Sequence, residues 1–403
     1  MNYGTIAVLV RGFCVNLAGK PYTVFFEKYE NEAPNAAMKL EIDLSKNEEA
    51  AAGVIRNSYE TWKKDNPAAN EKITLPSCAV LTTNGKTKAL FRIEKDYDSV
   101  QKRYTEKDDS PIIDIPSERG EVINTAERAN VIKNKIALVT GGAQGIGEEI
   151  VRNLAAAGAF VFIADLNLEG AEKLAKQINY NEKRIAALAV KVNVSNEESV
   201  EALFNTIAET TGGLDLCVSN AGVLKAGSVL EQELSDFKFV TDINYTGFFV
   251  ICKFAGRFLR TQNCTAPLWK TDIIQVNSKS GLEGSNKNGA YAGGKFGGLG
   301  LVASFAMELI EYGIKVNAVC PGNFLDGPLW SDPEKGLFVQ YLKTGKVPGA
   351  KSTADVRAFY ESKVPMKRGC TGKDLVRAIF YIVEQEYETG QAVPVTGGQV
   401  MLH

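Results

Sequence analysis

The sequence predicts a doubly wound parallel α/β sheet preceded by a smaller α+β domain. Three observations lead to this class. From Ile136 onward, apolar strand-like runs alternate with amphipathic helical runs, the order that buries a parallel sheet between two layers of helices. The first of these strands passes through a glycine-rich turn straight into a helix. Before residue 130 the pattern differs, with short strand-like runs, one amphipathic helix and a hairpin signal. The length of 403 residues exceeds what one hydrophobic core usually organises and agrees with this division. We expect an α+β domain over 1–105, a charged linker over 106–133 and a larger α/β domain over 134–403.

Composition removes several classes of function. Hydrophobic residues make up 45% of the chain and charged residues 23%, which is globular and not disordered. Lys and Arg number 46 against 48 Asp and Glu, so no basic surplus points to nucleic acid or to an anionic membrane. The single histidine, His403, is the last residue, which removes Ser-His-Asp and Cys-His mechanisms and imidazole-bound zinc. Seven cysteines are scattered and never spaced C-x-x-C; they read as free thiols filling a core, with no metal site. No uncharged stretch reaches membrane-spanning length and no basic stretch precedes the apolar N-terminal run, so the expected location is cytoplasmic.

Within the first domain, Thr5 to Val10 and Tyr22 to Phe26 are strand-like and Lys39 to Leu44 alternates. Ser45 stands three residues before Glu48, a capping-box spacing, and opens a helix through Ala50, Val54, Ile55, Tyr59 and Trp62. Cys78 to Thr82 and Ala89 to Ile93 flank Asn84-Gly85, the dipeptide that most readily supplies the two positive φ angles of a type I′ turn. Residues 94–135 are dense in both charge signs and interrupted by Pro111 and Pro116, which reads as a helix end followed by a linker.

In the second domain the strand Ile136 to Val139 runs into Thr140-Gly141-Gly142-Ala143-Gln144-Gly145-Ile146-Gly147, and a helix follows from about Glu148 to Ala157. Glycines at such a turn let the backbone approach a pyrophosphate, whose charge then meets the positive end of the helix. The next strand, Phe160 to Ala164, ends in Asp165, placed to accept hydrogen bonds from an adenosine ribose. This is the Rossmann-type arrangement. Asp165 repels a 2′-phosphate, and no Arg or Lys stands at Gly142, Ala143 or Leu166 to offset it, so the expected cofactor is NAD.

The reactive groups lie further along. Tyr291 and Lys295 are four residues apart in an expected helix and share one face. A phenol is a poor base at neutral pH, but a nearby ammonium stabilises the phenolate and moves its pKa towards the working range. Ser278, after the strand Ile273 to Val276, is placed to hydrogen-bond the same substrate oxygen.

Thr140-Gly-x-x-x-Gly-x-Gly147, Asn220-Ala221-Gly222, Asn244, Ser278, Tyr291-x-x-x-Lys295 and Asn317 with Pro321-Gly322 together resemble the ordered signature of the short-chain dehydrogenases/reductases. The resemblance implies that Tyr291 is the acid/base and that Lys295 binds the nicotinamide ribose and lowers the tyrosine pKa. It further implies that Ser278 orients the substrate and Asn244 holds a relay water. Asn220 to Gly222 would line the cofactor cleft and Pro321, Gly322 and Phe324 would approach the nicotinamide. Two departures stand out: Asn193, before Val194, replaces an aspartate near adenine, and Asp326 falls where a threonine often contacts the cofactor.

Within the family the runs Ile274 to Gly281, Lys295 to Gly298, Glu311 to Ile314, Lys363 to Pro365, Lys367 to Cys370 and Val395 to Met401 are similar to members acting on hexitol phosphates. That implies reversible hydride transfer from the C2 carbinol of D-sorbitol 6-phosphate to NAD, giving D-fructose 6-phosphate. A phosphate dianion needs charged donors in place of its water, and Lys225, Lys279, Lys287, Lys367 and Arg368 are the candidates. Residues 326–365 read as a substrate lid. The family resemblance also implies a homodimer or homotetramer built on the helix of Tyr291 and Lys295. Alternatives are an unphosphorylated polyol or another ketose phosphate as substrate, or a cofactor-binding sensor regulated by the N-terminal unit.

Overall fold

The computed structural model of the chain describes residues 1–31, 33–34, 37–66, 74–83, 86–99, 112–114, 130–334, 336–343, 345 and 347–401. Its first element is a helix, which corrects the strand expected at Thr5 to Val10. Helix α1 (Tyr3–Ala18) is capped by the Asn2 side chain on the Thr5 amide and closed by Gly19 at φ 63°. Every residue from Ile6 to Val15 is buried, because α1 packs on β1 and α2 of its own domain and also on helices of the larger domain. A helix covered on so many sides shows no polar face, and its apolar run has no period to betray it.

Strands β1 (Thr23–Lys28) and β2 (Met38–Glu41) follow, then α2 (Glu48–Asp65). The cap of α2 is Asn47, which accepts the Ala50 amide; Ser45 instead donates both amide and hydroxyl to Asp43, so the expected cap moves by two residues. With β3 (Thr74–Pro76), β4 (Cys78–Thr83) and β5 (Lys86–Glu94) in place, the main sheet of this domain has the order β1-β5-β4-β2. β4 and β5 pair antiparallel as far as Thr83 and Lys86, as a hairpin requires, while Asn84-Gly85 lies outside the described residues. The span read as linker contains a strand, β6 (Ile112–Asp114), antiparallel to β3. Ile112-Ile113 is too short an apolar pair among charges to give a period; residues 106–111 and 115–129 lie outside the described residues.

The larger domain alternates as expected through β7 (Ile136–Thr140), α3 (Gly145–Ala156), β8 (Phe160–Asp165), α4 (Leu168–Glu182), β9 (Ala187–Lys191), α5 (Glu197–Thr211) and β10 (Leu216–Ser219). Helix α3 begins three residues before the expected Glu148, at the glycine turn itself. Then α6 (Leu234–Thr241), a π-helical turn Asp242–Thr246 and α7 (Gly247–Asn263) run on as one helix, and a loop leads to β11 (Thr271–Val276). The chain continues through α8 (Gly289–Leu309), β12 (Ile314–Pro321), α9 (Pro328–Ser331), α10 (Leu337–Lys343), α11 (Thr353–Ser362), α12 (Gly372–Glu384) and β13 (Ala392–Val395).

The strands make one parallel sheet in the order β13-β12-β11-β10-β7-β8-β9. The order reverses between β7 and β10, the switch point where such sheets bind ligands at the carboxyl ends of their strands. One face is sealed by Ile150 and Leu154 of α3, Leu174 of α4 and Ile379 of α12. The other is sealed by Leu203 and Phe204 of α5, Ile251 and Leu259 of α7 and Val302 of α8. Cys14 and Cys217 are buried thiols pushed up to about 12, inert fillers and not nucleophiles.

The small domain grips the amino ends of the parallel strands. Arg11 of α1 is 0% exposed. Its guanidinium donates to Asp215 Oδ2 at 2.8 Å, to Gln262 Oε1 at 3.0 Å and to the Tyr22 carbonyl at 2.6 Å. Asp215 also accepts the Ile136 amide at 2.8 Å and the Trp269 indole at 3.1 Å, and Lys135 lies over that indole. Among the described residues no helix is long and apolar enough to cross a membrane, and no cluster of His, Cys, Asp or Glu could hold a metal ion.

Candidate active site

The glycine turn after β7 is shaped by contact. A β-carbon on Gly147 would stand 2.0 Å from the Gly141 carbonyl oxygen, and one on Gly141, which has φ 61°, would stand 2.8 Å from the Ala221 α-carbon. The turn after β10 is locked onto it. Thr140 Oγ1 accepts the amides of Asn220 at 3.0 Å and Ala221 at 3.1 Å, while Asn220 Nδ2 donates to the carbonyls of Thr140 and Gly141. Gln144 is the N-cap position of α3 without a side-chain bond, and Ile146 packs on the core behind it. Gly145, at φ 59°, would bring its β-carbon near Pro328 alone, at 3.7 Å. Bare backbone at the first turn of a helix, bounded by two interlocked turns, fits a dinucleotide diphosphate.

Asp165 ends β8 with Oδ2 on the Ala143 amide and Oδ1 on the Asn167 amide, both at 2.9 Å, and no cation pairs with it among the described residues. The Oδ1 of exposed Asn193 accepts from the amide and hydroxyl of Ser195; Val194 beside it is buried against Gly247. Pro321 and Gly322 close β12, with the Gly322 amide on the Val395 carbonyl at 2.9 Å, and Phe324 folds over Gly327.

Asn244 sits in the π-helical turn, a one-residue insertion that often marks functional positions. Its side chain is paired reciprocally with the Val223 backbone, both bonds at 2.8 Å, and so orders the chain after Gly222. Tyr291 and Lys295 share one face of α8, with Lys295 Nζ 5.6 Å from the centre of the phenol ring and donating to the Val276 carbonyl at 2.8 Å. Burial pushes the Lys295 amine down to about 8. Burial also pushes the Tyr291 phenol above its ordinary value, and a hydrogen bond from Ser278 only partly opposes this. Among the protein's own groups, desolvation of the phenol outweighs the hydrogen bond that opposes it.

Two residues whose roles the sequence did not reveal hold this set together. Asn277 Nδ2 donates to Gln275 Oε1 at 2.7 Å and to the Lys295 carbonyl at 2.9 Å, and Asn277 Oδ1 accepts the Ser278 amide at 2.8 Å. One buried amide thus fixes the end of β11 against α8. The available signal was two polar residues alternating in an apolar strand, Gln275 and Asn277.

The five candidate phosphate ligands are not brought together as one cluster. Lys225 pairs with Asp236, Lys279 with Glu283 and Arg368 with Asp374, and Lys367 Nζ donates to the Ser362 carbonyl. Among the described residues, Lys287 alone of the five carries no ion pair or side-chain bond; its carbonyl accepts the Gly227 amide at 2.9 Å. The region read as a lid is built on an aromatic knot of Trp330, Phe338, Tyr341 and Tyr360 over Leu325. A separate cavity of about 360 Å³ beside Arg368, Cys370 and Thr396 shares no lining residue with the catalytic set.

The chain is similar to several known proteins. The short chain dehydrogenase family matches residues 135–332. Sorbitol-6-phosphate 2-dehydrogenase of Escherichia coli is 35% identical over 271 residues, 66% of this chain and 99% of that protein. The crystal structure of sorbitol-6-phosphate 2-dehydrogenase from Erwinia amylovora superposes with a TM-score of 0.61 at 38% identity, over 66% of this chain and all of that one. Meso-2,3-butanediol dehydrogenase of Serratia marcescens is 30% identical over 60% of this chain and 96% of its own length. The chain belongs to the short-chain dehydrogenase family and is an oxidoreductase of alcohols.

Proposed function

We propose that the protein oxidises D-sorbitol 6-phosphate at C2 to D-fructose 6-phosphate, reversibly, with NAD. The observation that carries the reaction type is the convergence of Ser278, Tyr291 and Lys295 at the carboxyl end of β11, beside the interlocked turns of Thr140 and Asn220. Similarity to two sorbitol-6-phosphate 2-dehydrogenases, each matched over nearly its whole length, supports the substrate. NAD is favoured over NADP by Asp165, anchored on two backbone amides with no cation beside it to receive a 2′-phosphate.

The glycine turn, Asp165, Asn193, the Asn220 turn and the Pro321 to Phe324 loop would hold the dinucleotide, whose nicotinamide would supply the hydride acceptor. Tyr291 takes the proton of the C2 hydroxyl as the C2–H bond gives up its electron pair and the carbonyl forms. Ser278 orients the oxygen that loses this proton. Lys295 would meet the nicotinamide ribose and stabilise the phenolate, and Asn244 would hold the water that carries the proton onward.

A second reading, an unphosphorylated polyol, draws on the ion pairs of Lys225, Lys279 and Arg368, which leave Lys287 as the unpaired candidate for a phosphate. NADH formation by the full chain on D-sorbitol 6-phosphate, D-sorbitol and mannitol 1-phosphate, with NADP as control, separates the two. We expect NAD-dependent turnover on D-sorbitol 6-phosphate alone, reduced by at least about 10²-fold in Tyr291→Phe with NADH binding nearly unchanged. Turnover confined to D-sorbitol establishes the second reading, and undiminished turnover in Tyr291→Phe removes the tyrosine from the mechanism.

A further inference from the structure

The buried side chain of Asn277 bonds at once to the main chain of two residues of the acid/base set. Its Oδ1 accepts the Ser278 amide at 2.8 Å, and its Nδ2 donates to the Lys295 carbonyl at 2.9 Å and to Gln275 Oε1 at 2.7 Å. Its own amide is tied to the Val319 carbonyl of β12 at 2.8 Å. Lys295 is thereby held at both ends, its carbonyl by Asn277 and its ammonium by the Val276 carbonyl at 2.8 Å. The bond to the Lys295 carbonyl is not needed to satisfy that oxygen, which lies inside α8 and is already served by the helix ladder. Its effect is placement. Two glycines clear the space for it: a β-carbon on Gly281 would stand 2.1 Å from Asn277 Oδ1, and one on Gly298 would stand 2.5 Å from Gln275 Nε2. The Ser278 hydroxyl that follows accepts the Ser280 amide at 3.1 Å and bonds to the Tyr291 phenol.

We propose that Asn277 is a positioning residue for the acid/base set: its amide fixes Ser278 against Lys295, so that serine hydroxyl, phenol and ammonium keep one geometry. The inference rests on the dehydrogenase reading and deepens it by naming the group that aligns the three. A displacement of about 1 Å in such a set costs on the order of 10²-fold in rate. The loss falls on kcat, because the glycine turn and Asp165, the proposed seats of the dinucleotide, are left intact. The Ser278 bond also lowers the phenol from the value that burial alone would give, so a loosened serine raises it. Among the described residues Lys295 and Cys320 are the other titratable groups beside the phenol, and neither is replaced by a change at Asn277 or Gly281.

Steady-state kinetics of the full chain over a range of pH, on the polyol or polyol phosphate that the wild type oxidises, test it. Asn277→Ala is expected to lower kcat by about 10- to 100-fold, with KM and the NADH dissociation constant within about threefold of wild type. The rise of kcat with pH should move upward by about half to one pH unit, the worth of one hydrogen bond to the phenol. Gly281→Ala pushes the same amide aside from its other flank and should reproduce both effects. Asn277→Ala/Gly281→Ala should match Asn277→Ala within about twofold, because the crowded atom has gone. Ile379→Ala, a truncation on the opposite face of the sheet, should lower the unfolding midpoint and leave the pH profile in place. An unmoved kcat and pH profile in Asn277→Ala overturn the inference, as do losses that multiply in the double variant or a profile that Ile379→Ala shifts equally. If Asn277→Ala does not fold, Gly281→Ala decides alone, and an unmoved profile there overturns the inference. A wild type that oxidises no polyol or polyol phosphate with either dinucleotide, or undiminished turnover in Tyr291→Phe, overturns the dehydrogenase reading instead.

Discussion

Lys295 sits buried against the Val276 carbonyl, and burial has moved its amine from the ordinary 10.5 down to about 8. Between those values the unfolded chain keeps a proton that the folded chain has released, so stability rises with pH across that window and the full penalty is present below it. The shift corresponds to about 3 kcal/mol. Lys295→Met removes the titrating group, and its stability relative to wild type should be most favourable below pH 8 and fall by about 2–3 kcal/mol by pH 10.5. Denaturant unfolding at several pH values measures this difference; a constant gap would show that the ammonium is solvated in the folded protein. The placement of residues with local spacing was legible in the sequence: the glycine turn opens α3, Asp165 ends β8, and Tyr291 and Lys295 share one helix. Asn277 was not, because its work is done on the Lys295 carbonyl, 18 positions away. The ion pair of Arg357 with Asp326 escaped for the same reason, since nothing local to either residue names its partner.

At the scale of elements, the parallel sheet was legible because apolar strand runs alternate with helical runs from Ile136 onward, and the smaller sheet less so. Thr5 to Val10 misled because α1 is buried by two domains at once, which erases the polar face that marks a helix. The π-helical turn at Asn244 has no sequence mark at all, being one extra residue of backbone in an otherwise helical run. The same burial gives α1 an energetic role. Arg11 and Asp215 form an ion pair with neither side chain exposed, so Arg11→Met leaves a carboxylate buried with neutral donors only. We expect a loss of about 3–5 kcal/mol, read as a lowered denaturation midpoint. Because Asp215 also accepts the Ile136 amide, amide exchange at the start of β7 should accelerate together with that of α1. A loss below about 1 kcal/mol would place this pair with solvated surface bridges instead.

For the whole molecule, assembly is the next question. Phe249 of α7 and Phe296 and Met307 of α8 are 42%, 47% and 78% exposed on the helices next to the catalytic pair. We propose that they are covered in a homodimer or homotetramer built on the helix of Tyr291 and Lys295 and its neighbour α7. Light scattering of the full chain should give a mass two or four times that of one chain, and Phe249→Asp/Phe296→Asp should reduce it. A monomeric wild type at assay concentration removes the proposal.

The grip of Arg11 on Asp215 lies at the amino rim of the parallel sheet, whereas Ser278 and Asn220 follow the carboxyl ends of β11 and β10. Strands of four to eight residues separate the two rims by about 13–26 Å. The N-terminal unit is thus attached to the back of the enzyme, with the mouth turned the other way. It can serve as a handle: a tether, a fused protein or a solid support joined to its outer surface would leave substrate free to enter and product free to leave.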